Sequence, residues 1–315
     1  MGIILTIASS ITLMFAGLCY SYVFKKEATI SPNFVAFFRI ILSFIPPLIL
    51  FFKTKSFSTL FGIERRFLFL WGISGSITVT TYFISSKAIG IGMTQFLSSI
   101  QSVIIIIGSP FVLNIKFKWS SLIGVIFSVV GLLVILLPEM IDNLNFATTV
   151  GKISKNSIDF NLILIGLVSG IFSGVAYLFM AKARISNRFE VITLYWAIPS
   201  FFAQLIFFGG TKIFSQIKIY DYSTNIWFLI FLGGILTLLS QIFLSEAYRY
   251  GKVIFATFFY FIGSLINVTF EIYQGQIILT HALKFGILLI LFGSVFIPLF
   301  FHFYNQKFRF HTKVV

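Results

Sequence analysis

Ser86–Gly92 reads SKAIGIG and Ser245–Gly251 reads SEAYRYG. The serine, the alanine and the last glycine return in one frame 159 positions later, and the charge changes sign from Lys87 to Glu246. At the same spacing Gly75 falls on Gly234, Thr78 on Thr237, Phe96 on Phe255 and Phe111 on Phe270. Earlier in each half the spacing is 157, which pairs Phe15 with Phe172, Tyr20 with Tyr177, Lys25 with Lys182 and Ser43 with Ser200. Later it is 162, pairing Gly124 with Gly286 and Gly131 with Gly293. Short insertions between elements shift an offset in this way, so the chain reads as two copies of one unit.

The solvent around that unit is lipid. A mean hydropathy of +1.02 over 315 residues would leave a soluble domain with a mostly apolar surface. A helix crossing a hydrocarbon core of about 30 Å needs roughly 20 apolar residues. Such runs occur ten times, at about 2–24, 33–52, 67–86, 93–115, 119–138, 160–181, 190–210, 226–247, 253–274 and 281–303. They are continuous and lack period-two alternation, which excludes a barrel. The first run has no basic segment before it and no small-residue cleavage site, so it is expected to be span 1 and not a removed signal. The expected architecture is an all-α membrane protein of ten transmembrane helices in two five-helix repeats. Residues 1–138 form the first repeat, 139–159 a polar connection, 160–303 the second repeat and 304–315 a basic tail. Because five is odd, the second copy enters from the opposite side and the repeats are inverted. The opening stretches are then the hinges after spans 3 and 8, where Gly90, Gly92 and Gly251 permit a tight reversal.

The net charge of +14 is spread over loops and does not form the patch or stripe of a nucleic-acid reader. With the amino terminus in the cytoplasm, fourteen Lys/Arg fall on that side and eight on the other, and Arg39 lies within span 2. This asymmetry predicts that both termini are cytoplasmic. Cys19 is the single cysteine, so no intrachain disulfide is possible. His281, His302 and His311 are scattered, no Walker A sequence occurs, and no acid–base pair is expected at mid-membrane. No cofactor or metal is expected, and ATP is not the direct energy source.

Polar side chains at membrane depth mark the candidate site, because they are costly unless they meet a partner or water. Gln101 lies near the middle of span 4 with Ser98 nearby, and its repeat counterpart is Tyr260 in span 9. Tyr82 in span 3 corresponds to Gln241 in span 8, and Tyr177 lies in span 6. A buried amide has four hydrogen-bonding sites to satisfy, which puts Gln101 and Gln241 first among the candidates. Arg39, whose counterpart is Trp196, either offers its fork of donors to a substrate carboxylate or snorkels outward. Lys87 and Glu246 either snorkel toward headgroups, with Arg249 pairing Glu246 at a spacing of three, or act as gate residues. Gly170 and Gly174 in span 6 are expected to serve packing within the bundle.

Two five-helix halves, a tight hinge after spans 3 and 8, and the glycines seven apart in spans 5 and 10 resemble the drug/metabolite transporter superfamily, specifically its EamA group. The resemblance covers roughly 4–137 and 161–300. The family pattern has a proline in span 4, matched by Pro110, with Thr269 at that place in the second half. It also has glutamates just past spans 4 and 9, where this chain offers Asn114 and Lys116 in one half and Glu271 in the other. The resemblance implies a secondary carrier for a small polar or zwitterionic solute, such as an amino acid, an amine or a nucleotide-linked metabolite, in the inner membrane. The expected partners are that solute and the lipid bilayer, and a monomer is sufficient. An intramembrane enzyme acting on lipid precursors is the alternative, and it would require carboxylate or histidine clusters.

Overall fold

The computed structural model describes residues 1–114, 123–124, 126–131, 133–134, 160–207, 222–250, 263, 266–274 and 281–293. The described residues form helices and no strand. In chain order the main helices are α1 (Gly2–Lys26), α2 (Pro32–Leu42), α3 (Ile45–Thr54), α4 (Arg65–Ile89), α5 (Ile91–Leu97), α6 (Gln101–Leu113), α7 (Phe160–Arg184), α8 (Phe189–Phe207), α9 (Thr224–Arg249) and α10 (His281–Leu291). Seven candidate membrane spans lie among the described residues, namely Gly2–Lys26, Pro32–Thr54, Arg65–Ile89, Ile91–Leu113, Asn161–Arg184, Phe189–Ile206 and Thr224–Arg249. They coincide with spans 1–4 and 6–8. Half of span 5, most of span 9, the end of span 10, Tyr260, Gly251, the 139–159 connection and the tail lie outside the described residues.

Local chemistry explains where two spans depart from continuous helices. Ser31 caps α2 by accepting from the Asn33 amide at 3.3 Å, and Pro32 occupies the first turn. Span 2 breaks at Ser43–Phe44 because Pro46 and Pro47 follow, and they sit where a new first turn lacks donors anyway. Span 4 was expected to be one helix, but a 3₁₀ turn at Ser98–Ile100 separates α5 from α6. Gly170 of α7 packs against the Ser98 backbone there, and Gly174 packs one turn on against Ile104 and the Gln101 carbonyl. The two glycines thus serve close packing inside the bundle.

The packing follows one scheme twice. α1 runs antiparallel to α9, with Ser9 against Ser240 and Tyr20 against Gly233. α7 runs antiparallel to α4, with Ser169 against Thr78 and Leu162 against Ser85. α9 lies alongside α2 in parallel, with Trp227 against Phe34 and Gly234 against Leu42. α4 lies alongside α8 in parallel, with Trp71 donating to the Ile192 carbonyl at 3.1 Å and Gln204 donating to Thr80 at 2.9 Å. Near residues 124–128, Phe127 and Phe292 meet edge to face at 5.3 Å, and Gly293 packs on the Gly124 carbonyl.

The reversal after α4 is tight. Gly90 adopts φ 91°, in the region glycine enters without a Cβ penalty. Gly92 is required for a different reason, since a Cβ there would meet the Val268 amide at 2.6 Å and Glu271 Oε2 at 2.7 Å. Glu271 is 1% exposed and accepts from the Gly92 amide at 2.8 Å and the Met93 amide at 3.3 Å. A buried carboxylate here satisfies orphan donors of α5 and faces the positive end of its dipole. It joins the two halves of the chain at one end of the bundle.

Candidate central cavity

α1, α2, α4, α5, α7, α8 and α9 converge on a central cavity. A second, smaller compartment adjoins it, and the two share Leu13, Arg39, Tyr177, Thr237 and Gln241 as a common wall. The larger compartment reaches Tyr20, Gln95 and Ser98. The smaller reaches Ser9, Gln101 and Tyr248. The compartments are therefore stacked along the helices, one toward the end of α1 and the other toward its start.

Arg39 dominates the wall. Its guanidinium carbon lies 5.9 Å from the Phe83 centroid and 5.6 Å from the Trp196 centroid, and its Nε is buried without a hydrogen bond. Arg39 takes part in no ion pair among the described residues. A cation at the bilayer centre costs about 2.5–3.5 kcal/mol on insertion scales. Each ring contact offsets roughly 0.5–2 kcal/mol of that. The rings face the charge without supplying an acceptor, and Nε keeps an unanswered donor. The Arg39 side chain lines both compartments.

The expected site residues divide by partner. Gln101 is 1% exposed, and its Oε1 accepts from Ser173 Oγ at 2.6 Å, so the amide faces the smaller compartment while bracing α6 against α7. Gln241 lines both compartments, and no side-chain hydrogen bond engages it among the described residues. Tyr82 and Ser98 line the larger compartment, and Ser98 Oγ is buried without a partner. Tyr177 stacks on Trp71 at 6.2 Å and meets Tyr248 edge to face. Tyr195, beside Trp196 in the chain, is absent from the lining of both compartments and donates to the Phe61 carbonyl at 2.8 Å.

Lys87 and Glu246 stand outside this lining and make corresponding contacts in their halves. Lys87 donates to the carbonyls of Ala28 and Ile30, each at 2.7 Å, in the connection between α1 and α2. Glu246 pairs with Arg184, where the connection between α7 and α8 begins, and Arg249 lies 3.9 Å from its second oxygen. The sign reversal has a local cause. Carbonyl acceptors in one half call for a cation, and an arginine in the other calls for an anion.

Gln95 was not anticipated. It is 2% exposed, lines the larger compartment and accepts from Asn267 Nδ2 at 2.7 Å. Tyr20 was noted only as a repeat match, yet it reaches the cavity and lies 3.5 Å from the Thr237 hydroxyl. An amide so close to the span boundary carries no depth signal, and a tyrosine among 43 phenylalanines carries little signal of any kind.

Apolar spans around a central cavity make this a multi-pass membrane protein. Residues 1–137 match the EamA-like transporter family, which lies within the drug/metabolite transporter superfamily, and over this stretch the resemblance read from the sequence holds. A protein of known crystal structure shares the fold, with a TM-score of 0.59 at 12% identity, covering 93% of this chain and 94% of that one. No curated relative matches the chain.

Proposed function

We propose that the protein is a secondary carrier of the cytoplasmic membrane that moves a small polar solute through the central cavity by alternating access. The observation that carries this reading is the pair of stacked compartments divided at Arg39, Tyr177, Thr237 and Gln241. A solute at the dividing wall needs only one compartment open at a time. The packing scheme supports inverted repeats, since α1 against α9 corresponds to α7 against α4, and α2 beside α9 to α8 beside α4. Two equivalent halves of opposite orientation can rest in two packings, one open to each side. Ten spans and cytoplasmic termini complete this proposal.

Cysteine labelling tests it. In a Cys19→Ser background, Ser98→Cys reports on the larger compartment and Ser240→Cys on the smaller. An impermeant maleimide applied to oriented vesicles should reach Ser98→Cys from one face and Ser240→Cys from the other. Labelling of both from the same face would overturn the alternating scheme.

A further inference from the structure

We propose that the transported solute is a monocarboxylate and that Arg39 holds its carboxyl group. The assignment takes the cavity of the transport reading as its binding site. Among the described residues that line the two compartments, Arg39 is the one charged side chain. Its Nε is buried and makes no hydrogen bond, and the nearby ring faces of Phe83 and Trp196 supply no anionic acceptor. A guanidinium presents parallel donors that match the two oxygens of a carboxylate. What the pocket lacks is the group that this geometry accepts.

Charge matching narrows the class. One guanidinium compensates one negative charge, whereas a phosphate monoester brings about 1.5 to 2 at neutral pH. The excess would remain without a counter-charge, since the other polar groups in the lining, such as Thr78, Ser169 and Ser173, are neutral. A zwitterion brings the opposite difficulty. No acidic side chain among the described residues lines either compartment, so an ammonium would lack a counter-ion and would face the charge of Arg39. An amino acid should therefore bind more weakly than the carboxylate that lacks its amine. The stacked rings of Trp71 and Tyr177 suit a flat apolar body behind the carboxyl group.

Three probes of one skeleton separate these cases: 3-phenylpropionate, phenylalanine and 2-phenylethylamine. Calorimetry on the full chain in lipid nanodiscs should show binding of 3-phenylpropionate, affinity for phenylalanine at least tenfold lower, and no binding of the amine. Arg39→Gln should weaken 3-phenylpropionate binding at least tenfold. Arg39→Lys, which keeps the charge and loses the fork, should fall between and supplies the test if the glutamine variant does not fold. Equal affinity of wild type and Arg39→Lys or Arg39→Gln, binding of the amine as tight as that of the carboxylate, or binding of none of the three would overturn the assignment. Uptake into proteoliposomes separates the two claims. Arg39-dependent binding without uptake upholds the carboxylate site and removes the carrier reading, and uptake of the amine in preference to the acid does the reverse.

Discussion

Arg39 and Trp196 hold corresponding positions in the two halves, and they meet, the guanidinium carbon lying 5.6 Å from the indole centroid. If the two halves are the inverted repeats proposed above, residues that correspond in them and touch each other lie beside the axis that relates them. One half therefore brings a cation to the centre and the other brings the ring that faces it.

That pairing predicts a graded series at Trp196. Indole is the strongest cation–π partner among the side chains and contributes roughly 0.5–2 kcal/mol. Trp196→Phe should weaken binding of 3-phenylpropionate by a few-fold and Trp196→Leu by more, measured by calorimetry. The same affinity in all three proteins would show that the ring does not position Arg39.

The two amides should respond differently. Gln101→Leu leaves the buried Ser173 hydroxyl without its acceptor, and an unsatisfied buried group costs about 1–3 kcal/mol. Its melting temperature should drop. Gln241→Leu removes an amide that lines both compartments and has no side-chain bond among the described residues, so stability should hold while affinity falls about tenfold, equivalent to 1.4 kcal/mol. Thermal melts beside calorimetry decide between these outcomes. The reverse pattern would exchange the roles assigned here.

Lys87→Ala and Glu246→Ala each release a first connection of one half from the helix that follows it in the packing. If those tethers govern movement of the halves, transport rates should change in both variants with solute affinity near wild type. Unchanged rates in both would reduce the tethers to static contacts.

The clamp at the hinge should behave as one unit. Gly92→Ala pushes a methyl group into the Val268 amide and Glu271, and Glu271→Ala removes the carboxylate that the same amides require. Each should destabilise the protein, and the double variant should lose less than the two single losses added, because both remove one contact. Additive losses in a denaturation series would show that Gly92 and Glu271 act separately.

Topology is open to a direct check. A reporter fused after Val315 should be active in the cytoplasm, and one placed within 139–159 should be active outside. The opposite pattern would reverse the orientation drawn from the fourteen-to-eight distribution of basic residues.

Span positions were legible because the cost of burying polar backbone in lipid writes itself into continuous apolar runs, and all seven described spans fall on such runs. The break at Ser43–Phe44 was also written, in Pro46 and Pro47, although the run was read as one helix. The 3₁₀ turn at Ser98–Ile100 was not legible, since it follows from Gly170 pressing on a backbone more than seventy residues earlier in the chain. Arg39, Gln101 and Gln241 stood out because charge and amides are rare at that depth. Their division of labour depends on Ser173, Phe83 and Trp196, which long-range packing alone brings near. Glu271 was placed close to a helix end, and its true partners, the amides of Gly92 and Met93, have no side-chain signature at all.

The Glu271 clamp also bears on how the chain is made. Its carboxylate and the Gly92 amide are separated by 179 residues, so the first half leaves the ribosome with the donors at the start of α5 unanswered. At synthesis rates of about 5–20 residues per second, that interval lasts roughly 10–40 seconds. During biogenesis the hinge of the first half must wait inside the bilayer, or at its border with water, for a capping group not yet translated. Completion of the second half is then what closes the first.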